Sequence, residues 1–270
     1  MPKGSSPRMH PTAVISPEAE LADDVEVGPF TVIEGKVRLG PGCTIVSHAR
    51  LVGPLTMGAG NSVYPGAVLG ERPQHVRYAD EPTGLEIGDR NIFREYVTVH
   101  RGTTHSWTTR IGNDNFFMVN SHVAHDCQIG NRCILANGAL LAGHVILEDG
   151  VFLSGNSAVH QFVRMGRLSL LSGCSGTSKD MPPFVIQQGW DNVSGVNVVG
   201  MRRAGMSVAE ITAVRKAFRY IYHERMVLPA ALARIERELM HFSAVAEMVE
   251  FIRHAARGIN PMRGRHSEAA

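Results

Sequence analysis

The stretch Ile129-Gly-Asn-Arg-Cys-Ile-Leu135-Ala-Asn-Gly-Ala-Leu-Leu141-Ala-Gly-His-Val-Ile-Leu147-Glu-Asp-Gly-Val-Phe-Leu153 brings back a large aliphatic residue every six positions. A helix repeats at about 3.6 and a strand at about 2, so neither accounts for a beat of six. A parallel β-helix does. Extended in both directions, the beat runs from Ile15 to Leu171, and every position it meets is aliphatic, Met or Phe except His75, Glu81 and His105. The chain of 270 residues is only 44% hydrophobic, so chance does not produce this.

Two positions before each large residue stands a smaller one, as at Cys43, Ala49, Ser121, Cys127, Cys133, Ala139, Ser157 and Ser169. Residues two apart on a strand share a face, so each side of the coil sends one large and one small side chain into a narrow core. Three sides make an 18-residue coil, and successive coils stack at about 4.8 Å. Gly often follows the large residue, as at Gly28, Gly40, Gly58, Gly88, Gly112, Gly130 and Gly166, which suggests corners needing permissive dihedrals.

The three breaks in the beat fall in Gly70–Glu86 and Arg101–Arg110, segments rich in Pro, Thr, Arg and His. They read as two loops leaving the prism, with the chain back in phase at Ile87 and Ile111. From about Pro182 the period disappears. Ser207-Val-Ala-Glu210 has the form of a capping box. It opens a helix carrying Ile211, Val214, Phe218 and Ile221 on one face. Further apolar stripes are Leu228, Ala231, Leu232, Ile235, Leu239 and Val245, Met248, Val249, Ile252, Ala256. The expected organisation is a β-helix domain over 1–190 with excursion loops at about 70–86 and 101–110, then a helical domain over 191–270.

The net charge is +2, but residues 201–270 hold 12 Lys and Arg against 7 Asp and Glu. A basic helical domain suits an acidic partner. Met1–Arg8 is polar and no apolar run approaches about 18 residues, so a cytoplasmic protein without a signal peptide or membrane span is expected. Cys43, Cys127, Cys133 and Cys174 show no CxxC or zinc-ligand spacing and read as buried free thiols.

Histidines carry the chemistry. His122, His125 with Asp126, His144 and His160 all fall in the second run of repeats. The 18-residue coil places Asp126 one coil below His144, and His125 beneath Gly143, itself beneath Gln161. Four imidazoles and a carboxylate thus lie within about three coils, roughly 10 Å along the axis. No Ser or Cys sits in a nucleophile setting and no Gly-rich loop is shaped for phosphate. Two readings remain open on spacing alone. One is an imidazole general base oriented by the carboxylate. The other is three imidazoles around Zn²⁺ with an open position for water.

The segments Asn120-Ser-His-Val-Ala-His125-Asp-Cys-Gln-Ile-Gly-Asn-Arg-Cys-Ile-Leu-Ala-Asn137, Leu141-Ala-Gly-His144, Val159-His160-Gln-Phe162, Glu86-Ile-Gly-Asp-Arg-Asn91, Val97-Thr-Val-His-Arg-Gly102, Gly173-Cys-Ser-Gly176 and Gly195-Val-Asn197 closely resemble the UDP-N-acetylglucosamine O-acyltransferases of lipid A biosynthesis. The resemblance runs from about His10 into the C-terminal helices. It implies a homotrimer of left-handed parallel β-helices with active sites between subunits. The implied reaction moves an (R)-3-hydroxyacyl chain from acyl carrier protein to the 3-hydroxyl of UDP-N-acetylglucosamine, with no metal, cofactor or covalent acyl-enzyme. By the same resemblance His125 is the general base, Asp126 orients it or stabilises its imidazolium, and the Gly143 N–H is the oxyanion donor. Gln74, His122, His144, His160, Gln161, Asn197 and Arg203 match substrate-contacting positions, and Gly173 matches one that gauges acyl length. The acidic carrier protein would account for the basic C-terminal region.

Three departures from the family pattern stand out. Gln74-His75 replaces the usual Gln-Asp, Val199 stands where Glu is common, and the segment Gly189–Gly195 is one residue short. They touch the ends of the cleft and leave its catalytic centre unaltered. Related readings are transfer to a 3-amino UDP-sugar, a γ-type zinc carbonic anhydrase on the same prism, and a catalytically inactive trimeric scaffold.

Overall fold

The computed structural model describes residues 8–224 and 226–262. The first seven residues of the polar N-terminal stretch, and Arg225, Arg263 and Arg265 of the basic excess, lie outside the described residues. Strands of two to four residues form three sheets of 11, 9 and 8 strands, parallel except for Val193–Val196, which runs antiparallel to Val185–Gln187, and these are the three faces of a left-handed β-helix of about ten turns. Residues pair with those 18 ahead in regular coils, as in the column Phe117, Leu135, Leu153, Leu171. Pairing jumps from Ser62 to Ile92 across the first excursion and from Thr98 to His122 across the second. Both insertions are whole multiples of six, which is why the beat survives them.

The inward slots fill as the pattern requires, and Val25 through Met181 make one continuous apolar column. Small hydroxyl residues such as Ser121 and Ser157 also line it, and three asparagines enter it as a ladder. The Asn61 carbonyl oxygen accepts from the Asn91 backbone N–H at 2.9 Å and from its Nδ2 at 3.0 Å, and Asn91 does the same for Asn115. The Asn115 oxygen takes the Cys133 N–H at 2.7 Å. The Nδ2 groups also donate to the carbonyls of Gly88, Gly112 and Gly130. Each rung is therefore satisfied despite full burial.

Two expectations need correction. The glycines after the large residues do not supply positive φ. They are glycine because the next coil is too close: a Cβ on Gly28 would lie 1.7 Å from the Val46 carbonyl oxygen, and one on Gly112 would lie 2.6 Å from that of Gly130. Left-handed φ falls two residues later, at Phe30, Arg90, Asp114, Arg132 and Leu168. Cys43, Cys127 and Cys133 are buried, with burial pushing the last two up to about 12, but Cys174 is exposed at a corner with φ 53°.

Helices α1 (Val198–Arg203), α2 (Val208–Tyr222), α3 (Leu228–Leu239) and α4 (Ser243–Arg253) enclose a second cluster built on Phe184, Val214, Ile235 and Val249. Ser207 caps α2 by accepting the Glu210 N–H at 3.2 Å, while Glu210 Oε1 reaches across to the Ser243 hydroxyl at 2.8 Å. The third stripe stops earlier than its apolar spacing suggests, because α4 ends at Arg253 and Ala256 is exposed. Beyond it the chain returns to the prism, with Asp180 N–H donating to Gly258 and Asn260 Nδ2 bonding Thr177 Oγ1 at 2.8 Å. A bidentate pair from Arg167 to Glu247 joins the prism to α4. No helix among the described residues is long and apolar enough to cross a membrane.

Candidate active site

The histidines collect at the corner between strands His122–Val123 and Gln128–Ile129. Asp126, His144 and Phe162 occupy the same left-handed corner position in successive coils, with φ of 61°, 63° and 64°. Coils lock there by backbone bonds from His144 N–H to the His125 carbonyl at 3.0 Å and from Phe162 N–H to the Gly143 carbonyl at 3.1 Å. Phe162 stacks on His144 with centroids 4.3 Å apart and planes 4° from parallel. In the adjoining column the His125 ring lies over Gly143. A Cβ on Gly143 would sit 2.6 Å from Cε1 and 2.9 Å from Nε2 of that ring, so only glycine leaves the imidazole its place. The Gly143 N–H makes no hydrogen bond among the described residues.

His125 Nδ1 is 2.8 Å from Asp126 Oδ2, and the Asp126 side chain is fully buried. Thr103 donates from its backbone at 3.0 Å and from its hydroxyl at 2.7 Å; Ser106 donates from its backbone at 3.2 Å and from its hydroxyl at 2.5 Å. Burial alone would raise the Asp126 pKa. The donors from His125, Ser106 and Thr103 outweigh it and hold the carboxyl well below the usual carboxylate range. An ionised carboxylate only accepts, so a neutral His125 carries its proton on Nδ1 and keeps its lone pair on Nε2.

Neighbouring imidazoles crowd this pair. His144 Nδ1 lies 3.8 Å from Asp126 Oδ2 and has no hydrogen-bond partner among the described residues. Burial lowers the His144 pKa, Asp126 opposes this, and the charges of His125, His105 and His75 add to the lowering. His122 Nδ1 is 2.7 Å from Thr98 Oγ1, and burial, with the charges of His100 and His125, brings its pKa down to about 4. His125, Asp126 and His144 could offer ligand atoms to a metal ion within 4.8 Å of one another. The Asp126 oxygens, however, already accept from five donors, and a cation would have to strip several of them.

Of the residues singled out from sequence, His122, His125, Asp126, Gly143 and His144 come together. His160 and Gln161 are exposed one coil above, with His160 Nδ1 3.2 Å from the Gln161 carbonyl. Gln74 is exposed beside His75 in the first excursion. Gly173 lies exposed on a different corner, following strand Leu170–Leu171. Asn197 is buried, its oxygen capping α1 through Gly200 N–H at 2.9 Å and its Nδ2 bonding the Leu168 carbonyl at 2.8 Å. Arg203 is exposed at the end of α1.

Sequence reasoning placed His75 at an end of the cleft, away from the catalytic centre, but its ring meets His125 edge-on at 5.2 Å; it missed His105, which meets His144 at 4.5 Å. It also missed His100, whose ring is 5.1 Å from His122, and the Thr103 and Ser106 donors. A signal for two of these was present, since His75 and His105 are two of the three residues that break the six-residue beat.

Residues 180–260 match the family described as UDP N-acetylglucosamine O-acyltransferase, domain 2, and residues 108–143 match the bacterial transferase hexapeptide repeats. Among solved structures, the UDP-N-acetylglucosamine acyltransferase of Bacteroides fragilis is 38% identical over 93% of this chain and 99% of its own, with a TM-score of 0.91. That of Acinetobacter baumannii is 36% identical over 94% and 99%, with a TM-score of 0.89. The Francisella novicida enzyme is 30% identical over 96% and 95%, with a TM-score of 0.91.

Proposed function

The chain belongs to the UDP-N-acetylglucosamine O-acyltransferase family, and from that premise we propose that it transfers an (R)-3-hydroxyacyl group from acyl carrier protein to the 3-hydroxyl of UDP-N-acetylglucosamine, the first step of lipid A biosynthesis. The observation carrying the mechanism is the buried Asp126 carboxylate bonded to His125 Nδ1, which leaves Nε2 free over Gly143. His125 Nε2 takes the proton as the sugar hydroxyl attacks the thioester carbonyl. The oxygen of the tetrahedral intermediate accepts from the unengaged Gly143 N–H. On collapse the C–S bond breaks and the imidazolium returns its proton to the departing thiolate. Asp126 stays ionised throughout and stabilises the imidazolium.

His122, His144, His160, Gln161, Gln74, Gly173 and Arg203 are assigned to substrate contacts in a cleft completed by a neighbouring subunit. Asn197, whose amide is spent on capping α1, serves that cleft by fixing α1 against Leu168. A homotrimer is supported by the unbroken apolar row Ile92, Phe116, Ile134, Phe152, Leu170 and Ile186 on the outer face of one sheet. Docking of the acidic carrier protein on the helical domain is supported by exposed Arg202, Arg203, Arg215 and Arg237, which make no ion pair among the described residues.

The test is His125→Ala. Turnover should fall by about 10²–10⁴-fold, or about 3–5 kcal/mol, with nucleotide binding and melting temperature little changed. A well-folded variant keeping more than about a tenth of the wild-type kcat would reject the mechanism.

A further inference from the structure

We propose that Thr103 and Ser106, from the second excursion loop, are positioning residues for the acyl transfer, acting as a hydroxyl clamp that fixes the Asp126 carboxylate so that one oxygen is held for His125. This rests on the reading of His125 as the general base.

The clamp reaches both carboxylate oxygens. Oδ1 accepts from the Ser106 backbone and hydroxyl and from the Thr103 backbone; Oδ2 accepts from the Thr103 hydroxyl and His125 Nδ1. Ser106 Oγ also lies 3.2 Å from the Thr108 carbonyl, but it has one proton, and the 2.5 Å contact to Asp126 takes it. Thr103 Oγ1 donates to Asp126 and accepts the His105 N–H at 3.3 Å, so both its capacities are used. The loop is itself anchored, by Gly102 N–H to the Gly84 carbonyl at 3.0 Å and Arg101 Nη1 to the Gly53 carbonyl at 2.8 Å. The carboxylate is thus bound to a fixed frame and cannot rotate away from the imidazole.

Two consequences follow for the base. Without the hydroxyls the carboxylate gains freedom, and His125 Nε2 is presented less often in the attacking geometry. The carboxylate's charge is also less spread over donors, so it holds the protonated imidazole more tightly. The ascending limb of the pH profile should therefore move to higher pH. The other titratable groups facing the pair are His75 from the first excursion, His105 from the second, His144 from the coil above, and His122 with His100 behind it. None of these is altered by the substitutions.

The experiment compares Thr103→Val, Ser106→Ala, the double variant and Thr103→Ser, using UDP-N-acetylglucosamine and acyl carrier protein substrate across the pH range. The double variant should lose about tenfold in kcat, with each KM within about twofold. Its ascending limb should move up by several tenths of a pH unit, while Asp126→Asn moves it down and Thr103→Ser restores wild-type behaviour. Unchanged kcat and pH midpoint in the folded double variant would overturn the clamp. So would a loss of activity that only follows a loss of thermal stability, with the pH midpoint fixed. If the double variant fails to fold, the midpoint of Ser106→Ala against Thr103→Ser decides in the same terms. The base reading fails separately, if His125→Ala stays active.

Discussion

His122 shows what burial does to a single residue in this site. Its pKa is depressed to about 4 by burial first and then by the charges of His100 and His125, whereas in the unfolded chain it titrates near 6.5. Between those values the unfolded chain binds a proton that the native one refuses, so stability is lost as pH falls from about 6.5 to about 4. The group contributes on the order of 2–3 kcal/mol to that slope. His100 and His144 are displaced in the same direction. Melting temperatures measured from pH 7 to 4.5 should therefore decline less steeply for His122→Asn than for the wild type; parallel slopes would reject the assignment. The site was legible where histidines interrupt a Leu- and Val-rich pattern, since the 18-residue coil converts sequence spacing into vertical stacking. Thr103 and Ser106 were not legible, because they sit in an excursion with no fixed register and are residue types common in any loop. His105 was marked only as a failure of the beat, and His75 by that failure and as a departure from the family pattern.

Individual coils depend on how each closes against the next. The Asn61, Asn91 and Asn115 ladder occupies the small inward slot that Ala, Ser, Val or Cys fills elsewhere, and it satisfies glycine carbonyls at the corners. Asn91→Ala strands the Asn115 N–H and the Gly112 carbonyl in a buried column, which should cost about 2–4 kcal/mol. Glu86→Ala, which breaks an exposed pair with Arg110 at 3.0 Å, should cost under about 1 kcal/mol. Denaturant unfolding of the two variants tests the contrast, and equal losses would show that the ladder is no more than filler. The strands themselves were legible because large and small inward residues alternate with a period of two inside a period of six. The glycines were placed correctly and explained wrongly. Sequence shows that a corner needs Gly, but it cannot separate a dihedral requirement from a collision with the coil above, which depends on the stacking distance.

The whole molecule carries two unlike surfaces. Beyond the prism, exposed Arg202, Arg203, Arg215 and Arg237 form no ion pair among the described residues, while Lys216, Arg219 and Arg234 are paired with Glu238 and Glu224. If an acidic carrier protein docks there, raising salt from about 50 to about 500 mM should raise its KM far more than that of the sugar nucleotide, since exposed charges are screened over a Debye length of about 10 Å at 0.1 M. Equal insensitivity would remove the docking assignment. The prism faces also differ from one another. One outer row carries two opposite-charge pairs, Glu20 beside Arg38 and Glu86 beside Arg110, with Thr56 between them. Another is Ile92, Phe116, Ile134, Phe152, Leu170 and Ile186 in unbroken register. A contiguous apolar row of that length marks an association surface. If it faces a different sheet of a second copy, the contact is head-to-tail and closes into a ring in the proposed trimer, which would place a neighbour beside each histidine corner. Sedimentation equilibrium at micromolar concentration should thus give about 88 kDa, three times the 29.4 kDa chain, and Ile134→Glu should shift it toward monomer with loss of activity. A fully active 29.4 kDa species would refute both the ring and a site shared between subunits.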